Sequence, residues 1–423
     1  FKNKDIRKKL LYTLMMLVVI RIGSLLPIPG VDTEYFSTLL SGFNSGDLSY
    51  LSAFTGGSFE KMSLFALSIT PYITSSIIMQ LLTIAIPKLE EMQKEGEDGR
   101  KKIASITRYV TIALALIESI AMAVGFGRQG LIKDYKDMST IHYVTCIIVV
   151  VAALTAGSAV LMWIGERITE KGVGNGISIV LLINIISGMP SDFVTLYSTF
   201  VANKSIARGV TVAVIIAAIV IAVVVLVVIL QDGERRIPVQ YSQKVAGRKT
   251  IGGQATNIPL KVNTAGVMPI IFASSIMQFP VIIVQLFTSN SYEWTKYLSQ
   301  SYWCRVQMPK YSIGLLLYII LVVVFAYFYT SITFNPVQIA DNLKKAGGVV
   351  PGITPGRSTS EYLNKILNYI VFIGAVGLMI VALIPIMCTG FFNASVSFGG
   401  TSIIIIVGVV LETMKQIESM MVN

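Results

Sequence analysis

Apolar residues along this chain gather into ten long runs, separated by short polar stretches. The runs are roughly Leu10–Leu26, Ser63–Ile86, Ile103–Phe126, Ile141–Ile164, Val173–Met189, Val210–Leu230, Ala265–Phe287, Ile313–Phe334, Ile366–Thr389 and Gly400–Met420. The clearest, Val210–Leu230, holds 21 residues with no charge and almost no polar atom. A helix rising ~1.5 Å per residue needs about 20 such residues to cross a hydrocarbon core. The many Val and Ile would favour strands in water, but in lipid only a helix or a closed barrel satisfies the backbone. The pattern therefore predicts an all-α polytopic membrane protein of ten transmembrane helices.

Composition sharpens this reading. The chain is 54% hydrophobic and 13% charged, about half the charge of a soluble domain. Its net charge of +11 reports topology first. With the N-terminal Lys2, Lys4, Arg7, Lys8 and Lys9 inside, the inner segments, counted with Arg108 and Lys415 in the inner parts of their runs, collect 24 basic residues and the outer ones 9, leaving Arg21 within the first span. The bias of Lys and Arg toward the cytoplasm then predicts both termini on that side. The first apolar run has no small-residue cleavage site and leads into the first span, so no cleavable signal peptide is expected. Cys146, Cys304 and Cys388 lie far apart, which indicates neither a metal site nor a disulfide framework.

Two inner connections are unusually long. Gln231–Asn263 carries Arg235, Arg236, Lys244, Arg248, Lys249 and Lys261, and its alternating IPVQY stretch predicts a hairpin. Asn335–Lys365 carries Lys344, Lys345 and Arg357 among Gly and Pro turn residues. Basic projections of this kind suit an acidic protein surface, anionic lipid or nucleic-acid phosphate. Outside, Gly46–Lys61 is apolar but too short to span. Its Leu48, Leu51 and Phe54 fall on one helical face before the Gly56–Gly57 break, as in an interfacial or re-entrant element.

The residues of membrane-embedded catalysis are missing from the pattern. No HExxH, GxSxG or Walker A motif occurs, and the single histidine, His142, has no catalytic partner at a useful spacing. No enzyme activity, metal or cofactor is expected. Ion-coupled transporters place carboxylates at mid-membrane, and here, apart from Glu412 and Glu418 in the inner part of the tenth run, Glu118 is the only clear one within a span. Gly172, Gly174 and Gly176 open the fifth span, and Pro71, Pro269 and Pro385 are placed to interrupt the second, seventh and ninth. Broken helices must line protein or water, which predicts a cavity bordered by the second and seventh spans. A passive conduit ranks first and a secondary transporter of a small solute second.

Seven stretches carry a resemblance along the whole chain: RIGSLLPIPG (Arg21–Gly30), FTGGSFEKMSLFALSITPYITSSIIMQLL (Phe54–Leu82), EGEDGRKKIASITRY (Glu95–Tyr109), LMWIGERITEKGVGNGISI (Leu161–Ile179), PLKVNTAGVMPIIFASSI (Pro259–Ile276), FNPVQIADNLKKAGGVVPGITPG (Phe334–Gly356) and FGGTSIIIIVGVV (Phe398–Val410). Together they resemble the SecY family of bacterial protein-conducting channels. The resemblance implies a clamshell of two five-helix, inverted pseudo-repeat halves, residues 1–190 and 191–423, around a central pore. It implies that unfolded polypeptides cross the plasma membrane, and hydrophobic segments enter it, through this chain.

Carried over motif by motif, an apolar pore ring falls on Ile69, Ile73, Ile177, Leu181, Ile271 and Ile405. A plug falls on about 46–61, including Leu48, Leu51, Phe54, Gly56 and Gly57. A lateral gate between the second and seventh spans includes Thr74, Gln80, Ser274, Ser275 and Gln278. The loops 231–263 and 335–365, through Arg235, Arg236, Lys244, Arg248, Lys249, Lys344, Lys345 and Arg357, would meet the ribosome and the motor ATPase SecA. SecE and SecG are the implied small subunits. Signal peptides, nascent polypeptides and membrane lipid are the implied passengers and surroundings. One departure stands out: the family's PGIRPG motif reads PGITPG here, with Thr354 in place of arginine and Arg357 three residues later.

Overall fold

The structure is a computed structural model that describes residues 4–29, 63–67, 70–94, 96–127, 140–196, 205–241, 243–246, 249–252, 255–261, 269–270, 272–274, 276–277, 280, 313–334, 336–392 and 402–422. Within these, helices α1 (Lys4–Leu25), α2 (Thr70–Ala85), α3 (Pro87–Lys94), α4 (Glu97–Gly127), α5 (Thr140–Lys171), α6 (Gly176–Leu196) and α7 (Ile206–Asp232) precede four strands. The strands are β1 (Glu234–Tyr241), β2 (Gln243–Ala246), β3 (Lys249–Gly252) and β4 (Ala255–Lys261). After short helical stretches at residues 269–280, α8 (Ile313–Thr333), α9 (Pro336–Ala346), β5 (Gly348–Val349), α10 (Arg357–Phe392) and α11 (Ser402–Val422) complete the chain. Among the described residues, five helices are long and apolar enough to cross a membrane, in α4, α5, α7, α8 and α10. Only 11% of the most apolar window, in α7, is buried within the chain. Lipid, which is as apolar as Val or Ile, is the natural surrounding of such a face.

The prolines act differently from the sequence expectation. Pro71 lies in the first turn of α2, where its missing N–H would be unpaired anyway, so the second span begins there and does not break. Residues 63–67 form a separate turn. Pro385 lies inside α10, which continues unbroken to Phe392; helices in membranes tolerate such residues when neighbouring groups satisfy the freed carbonyl.

Close approach depends on small residues, as it must where lipid supplies no hydrophobic drive between helices. The turn at 63–67 rests on α5 at Gly157, where a Cβ would collide with the Leu64 carbonyl oxygen, and Phe65 lies against Gly23 of α1. Leu64 N–H donates to the Leu26 carbonyl at 3.0 Å, fastening the turn to the end of α1. A second crossing brings Gly176 of α6 onto the carbonyl of Gly165 in α5. Overpacking at such points forces backbone shifts. For Gly157→Val we expect loss of most of the monodisperse protein on size-exclusion chromatography in mild detergent, whereas Ala156→Val, on an exposed position beside it, leaves the yield unchanged.

The alternating stretch predicted as a hairpin does form strands. Ile237 pairs with Ile258 and Val239 with Thr256 in the antiparallel β1–β4 ladder, and β2–β3 forms a smaller ladder at its tip. The second loop joins the first: β5 adds to β1 through Gln240↔Val349 and Tyr241↔Gly348, giving the order β4-β1-β5. Ile237, Val239, Leu260, Leu343, Val350, Leu363, Ile366 and Ile370 form one apolar cluster beneath this sheet. Both long loops and the start of α10 therefore make a single platform.

Candidate functional site: an apolar waist and a basic platform

The fifth span opens through a turn whose hydrogen bonds aim the residues after it. Gly174 has φ +80°, a left-handed conformation that glycine adopts without the usual Cβ cost. Asn175 Oδ1 then accepts from the Ile177 N–H at 3.1 Å, acting as an N-cap. Thr169 Oγ1 accepts from the Gly176 N–H at 2.9 Å, and Thr13 Oγ1 of α1 accepts from the Val173 N–H at 3.0 Å. The turn is thus tied to α5 and α1, and Ile177 and Leu181 follow from it one helical turn apart.

Ile73 of α2, Leu181 of α6 and Ile405 of α11 are 5%, 2% and 0% exposed and belong to one continuous apolar cluster. Ile177 is half-buried against the same cluster. The cluster also takes Ile20 from α1, Ile164 from α5, Val223 from α7, Phe272 from the seventh span, Val322 from α8 and Leu378 from α10. Four of the six ring positions therefore belong to or pack against one apolar cluster, here called the waist. Ile69 and Ile271 lie outside the described residues, as do Leu48, Leu51, Phe54, Gly56 and Gly57.

Around the waist, polar contacts fix the helices to one another. Ser75 of α2 donates to the Thr107 carbonyl of α4 at 2.9 Å. Arg108 of α4 forms an ion pair with Glu166 of α5 at 2.8 Å, and Ser119 accepts from the Thr155 hydroxyl at 3.2 Å. Arg21 donates to Ser187 Oγ of α6 at 3.4 Å. None of these pairs was singled out by the sequence. Their only signal was a scatter of hydroxyls, two arginines and a glutamate on apolar helices. Glu118 is half-buried on α4, and among the described residues no hydrogen bond or ion pair reaches it.

Of the gate residues, Thr74 is half-buried on α2, and Ser274 is fully buried beside the Tyr318 hydroxyl of α8. The Phe272 ring meets Phe325 and Tyr329 edge-on, with centroids 5.9 and 6.1 Å apart, joining the seventh span to α8. Gln80 lies on another face of α2, about 120° round the helix from Thr74, in a groove against α4. Ser275 and Gln278 lie outside the described residues.

On the platform, Arg235 and Arg236 are exposed on β1, and Lys344 and Lys345 are exposed in the last turn of α9. Arg236 is paired with Glu234 at 3.1 Å. Arg357 is 93% exposed at the start of α10, 3.3 Å from Glu361. That carboxylate offsets a cation placed at the unfavourable end of the helix dipole. Lys244 and Lys249 lie on β2 and β3, and Arg248 lies outside the described residues.

Bundle, waist and platform define a multi-pass membrane channel protein. The SecY family matches residues 63–414, and the chain belongs to that family. The protein translocase subunit SecY of Streptomyces galbus is 42% identical over 434 residues, covering 99% of this chain and 95% of that protein. The corresponding subunit of Halalkalibacterium halodurans is 41% identical, covering 100% and 96%. Among solved structures, a protein-conducting channel superposes with a TM-score of 0.66 at 18% identity, covering 100% of this chain and 94% of that one. Sec61 from the canine ribosome-channel complex superposes with a TM-score of 0.63 at 17% identity, covering 100% and 94%. At these identities the superpositions report the fold.

Proposed function

We propose that this chain is the protein-conducting channel of a bacterial translocon, with both termini cytoplasmic in the plasma membrane. The observation that supports the reading is the apolar waist: Ile73, Ile177, Leu181 and Ile405, from α2, α6 and α11, share one apolar cluster. Branched aliphatics at a constriction exclude water and ions by dewetting. They also give way around a passing chain without offering hydrogen bonds that would hold it. The two halves, 1–190 and 191–423, open by separating at this waist, with Ile69 and Ile271 completing the ring and the 46–61 segment as a second barrier.

Sideways opening between α2 and the seventh span sorts the passenger by partition. About ten Leu-like residues gain ~3–6 kcal/mol in lipid, while one central charge costs ~2.5–3.5 kcal/mol. Hydrophobic segments leave through the gate, and polar ones continue across. Thr74 and Ser274, with Ser275 and Gln278, set the cost of opening through interhelical hydrogen bonds worth ~0.6 kcal/mol each. The platform receives SecA or the ribosome, SecE and SecG complete the assembly, and the work comes from those partners.

The test is contact. With a photoreactive phenylalanine at Leu181 or Ile405, an arrested secretory precursor crosslinks to the chain. At exposed Val214 on α7 it does not. Equal yields at all three positions, or none at the waist, defeat the reading.

A further inference from the structure

Most of the hydrogen bonds that hold the turn between α5 and α6 are local. The Gly172 N–H donates to the Ile168 carbonyl at 2.8 Å, the Gly176 N–H to Thr169 Oγ1 at 2.9 Å and the Ile177 N–H to Asn175 Oδ1 at 3.1 Å. All three acceptors belong to α5 or to the turn itself. The Val173 N–H instead crosses to α1, where it meets Thr13 Oγ1 at 3.0 Å. The Thr13 hydroxyl in turn donates to the Lys9 carbonyl, one helical turn back in α1, also at 3.0 Å. A hydroxyl has one proton and two lone pairs, so giving the proton to Lys9 leaves a lone pair for Val173. Thr13 and Val173 are both buried, so removing the hydroxyl leaves a buried N–H unmet. Thr13 lies on the face of α1 that carries Met16 and Ile20 into the waist cluster, a face on which packing alone asks for an aliphatic.

The approach is close on both flanks of the turn. A Cβ at Gly172 would crowd Thr13 Oγ1, and one at Gly174 would stand 3.0 Å from Thr413 Oγ1 of α11. The turn is therefore seated between α1 and the helix that carries Ile405. Four residues separate Val173 from Ile177, and four more lead to Leu181. A helix rising ~1.5 Å per residue is stiff along its axis, so a displacement of its first turn is passed on to both side chains. We propose that Thr13 is a positioning residue of the channel: its hydroxyl fixes the α5–α6 turn to α1 and so sets Ile177 and Leu181 where the waist closes. This role rests on the reading of the waist as the constriction. Thr13 acts through Val173 and the start of α6.

Thr13→Val keeps the shape and removes the hydroxyl, whereas Thr13→Ser keeps the hydroxyl. Thr111→Val removes another buried hydroxyl, one that donates within α4 to the Thr107 carbonyl. Each variant, purified with its small subunits in mild detergent, is read in two ways: amide hydrogen exchange over residues 172–181, and resting conductance in planar bilayers. One unmet buried donor is expected to raise both exchange and leak in Thr13→Val on the order of tenfold. Thr13→Ser and Thr111→Val stay near the parent in both. Thr13→Ala, also without the hydroxyl, matches Thr13→Val and stands in for it if its yield is poor. Unchanged exchange in the valine and alanine variants, an equal leak in Thr111→Val, or Thr13→Ser as leaky as Thr13→Val would each overturn the assignment. So would raised exchange without leak, when asparagine at Ile73, Leu181 and Ile405 together conducts in the same bilayers. If that triple variant is tight as well, the waist reading falls instead, and exchange alone decides whether Thr13 holds the turn.

Discussion

Asparagine at Ile73, Leu181 and Ile405 together turns the resting channel into an ion leak. All three side chains are nearly or wholly buried in the waist cluster. Each amide brings a donor and an acceptor into a place that offers them no partner. An unsatisfied buried polar group costs ~1–3 kcal/mol, and admitting water relieves that cost. Wetting is the step that an aliphatic constriction opposes, so conductance follows. Single substitutions leak less, because neighbouring aliphatics still narrow the path. Planar-bilayer recordings check the order: parent silent, single variants intermittent, triple variant conducting steadily. Asparagine at Ala375, buried in a separate cluster between α8 and α10, destabilises without conducting. A triple variant as tight as the parent would remove these residues from the constriction.

Charge reversal on the platform has the second large effect. Arg235, Arg236, Lys344 and Lys345 are exposed, yet they sit on two loops joined by the β1–β5 pairing and a shared core. A partner therefore meets them as one fixed pattern. Exposed ion pairs contribute ~0.2–1 kcal/mol each, so changing all four to glutamate weakens SecA or ribosome binding on the order of tenfold to a hundredfold. The loss is greatest at low salt and fades toward 1 M, where the screening length falls to about 3 Å. Sedimentation with ribosomes or SecA across a salt series measures it. Binding unchanged at low salt would reduce these residues to determinants of topology. Thr354→Arg restores the family's charge in an exposed turn beside Arg357 and is expected to leave SecA-driven transport unchanged or raise it. A clear loss would mean that this turn docks differently.

The spans were legible because lipid allows few answers: long apolar runs must be helices, and α4, α5, α7, α8 and α10 follow their predicted runs to within several residues. The hairpin was legible from alternation in IPVQY. Its pairing with β5 was not, since β5 is two residues long and comes from a loop about a hundred positions away. Ile73, Leu181 and Ile405 were assigned by motif and are buried in one apolar cluster, as no local pattern separates a buried aliphatic from one facing lipid. Pro71 was misread as a break because proline looks alike at a helix start and inside a helix. Gln80 was grouped with Thr74 because both are polar on α2, but the 3.6-residue period turns it toward α4. The Arg108–Glu166 pair, 58 positions apart, depends on how α4 and α5 pack and leaves no signature in either helix.

The central claim is that unfolded polypeptide passes through this chain. Its most direct test is a sealed proteoliposome containing the chain with SecE, oriented with the platform outward and supplied with SecA, ATP and a secretory precursor. Precursor that has crossed is protected from added protease and is digested once detergent opens the vesicle. The account predicts ATP-dependent protection that is lost when the platform charges are reversed. Accumulation of a small solute against its gradient, with no precursor protected under any condition, would contradict it.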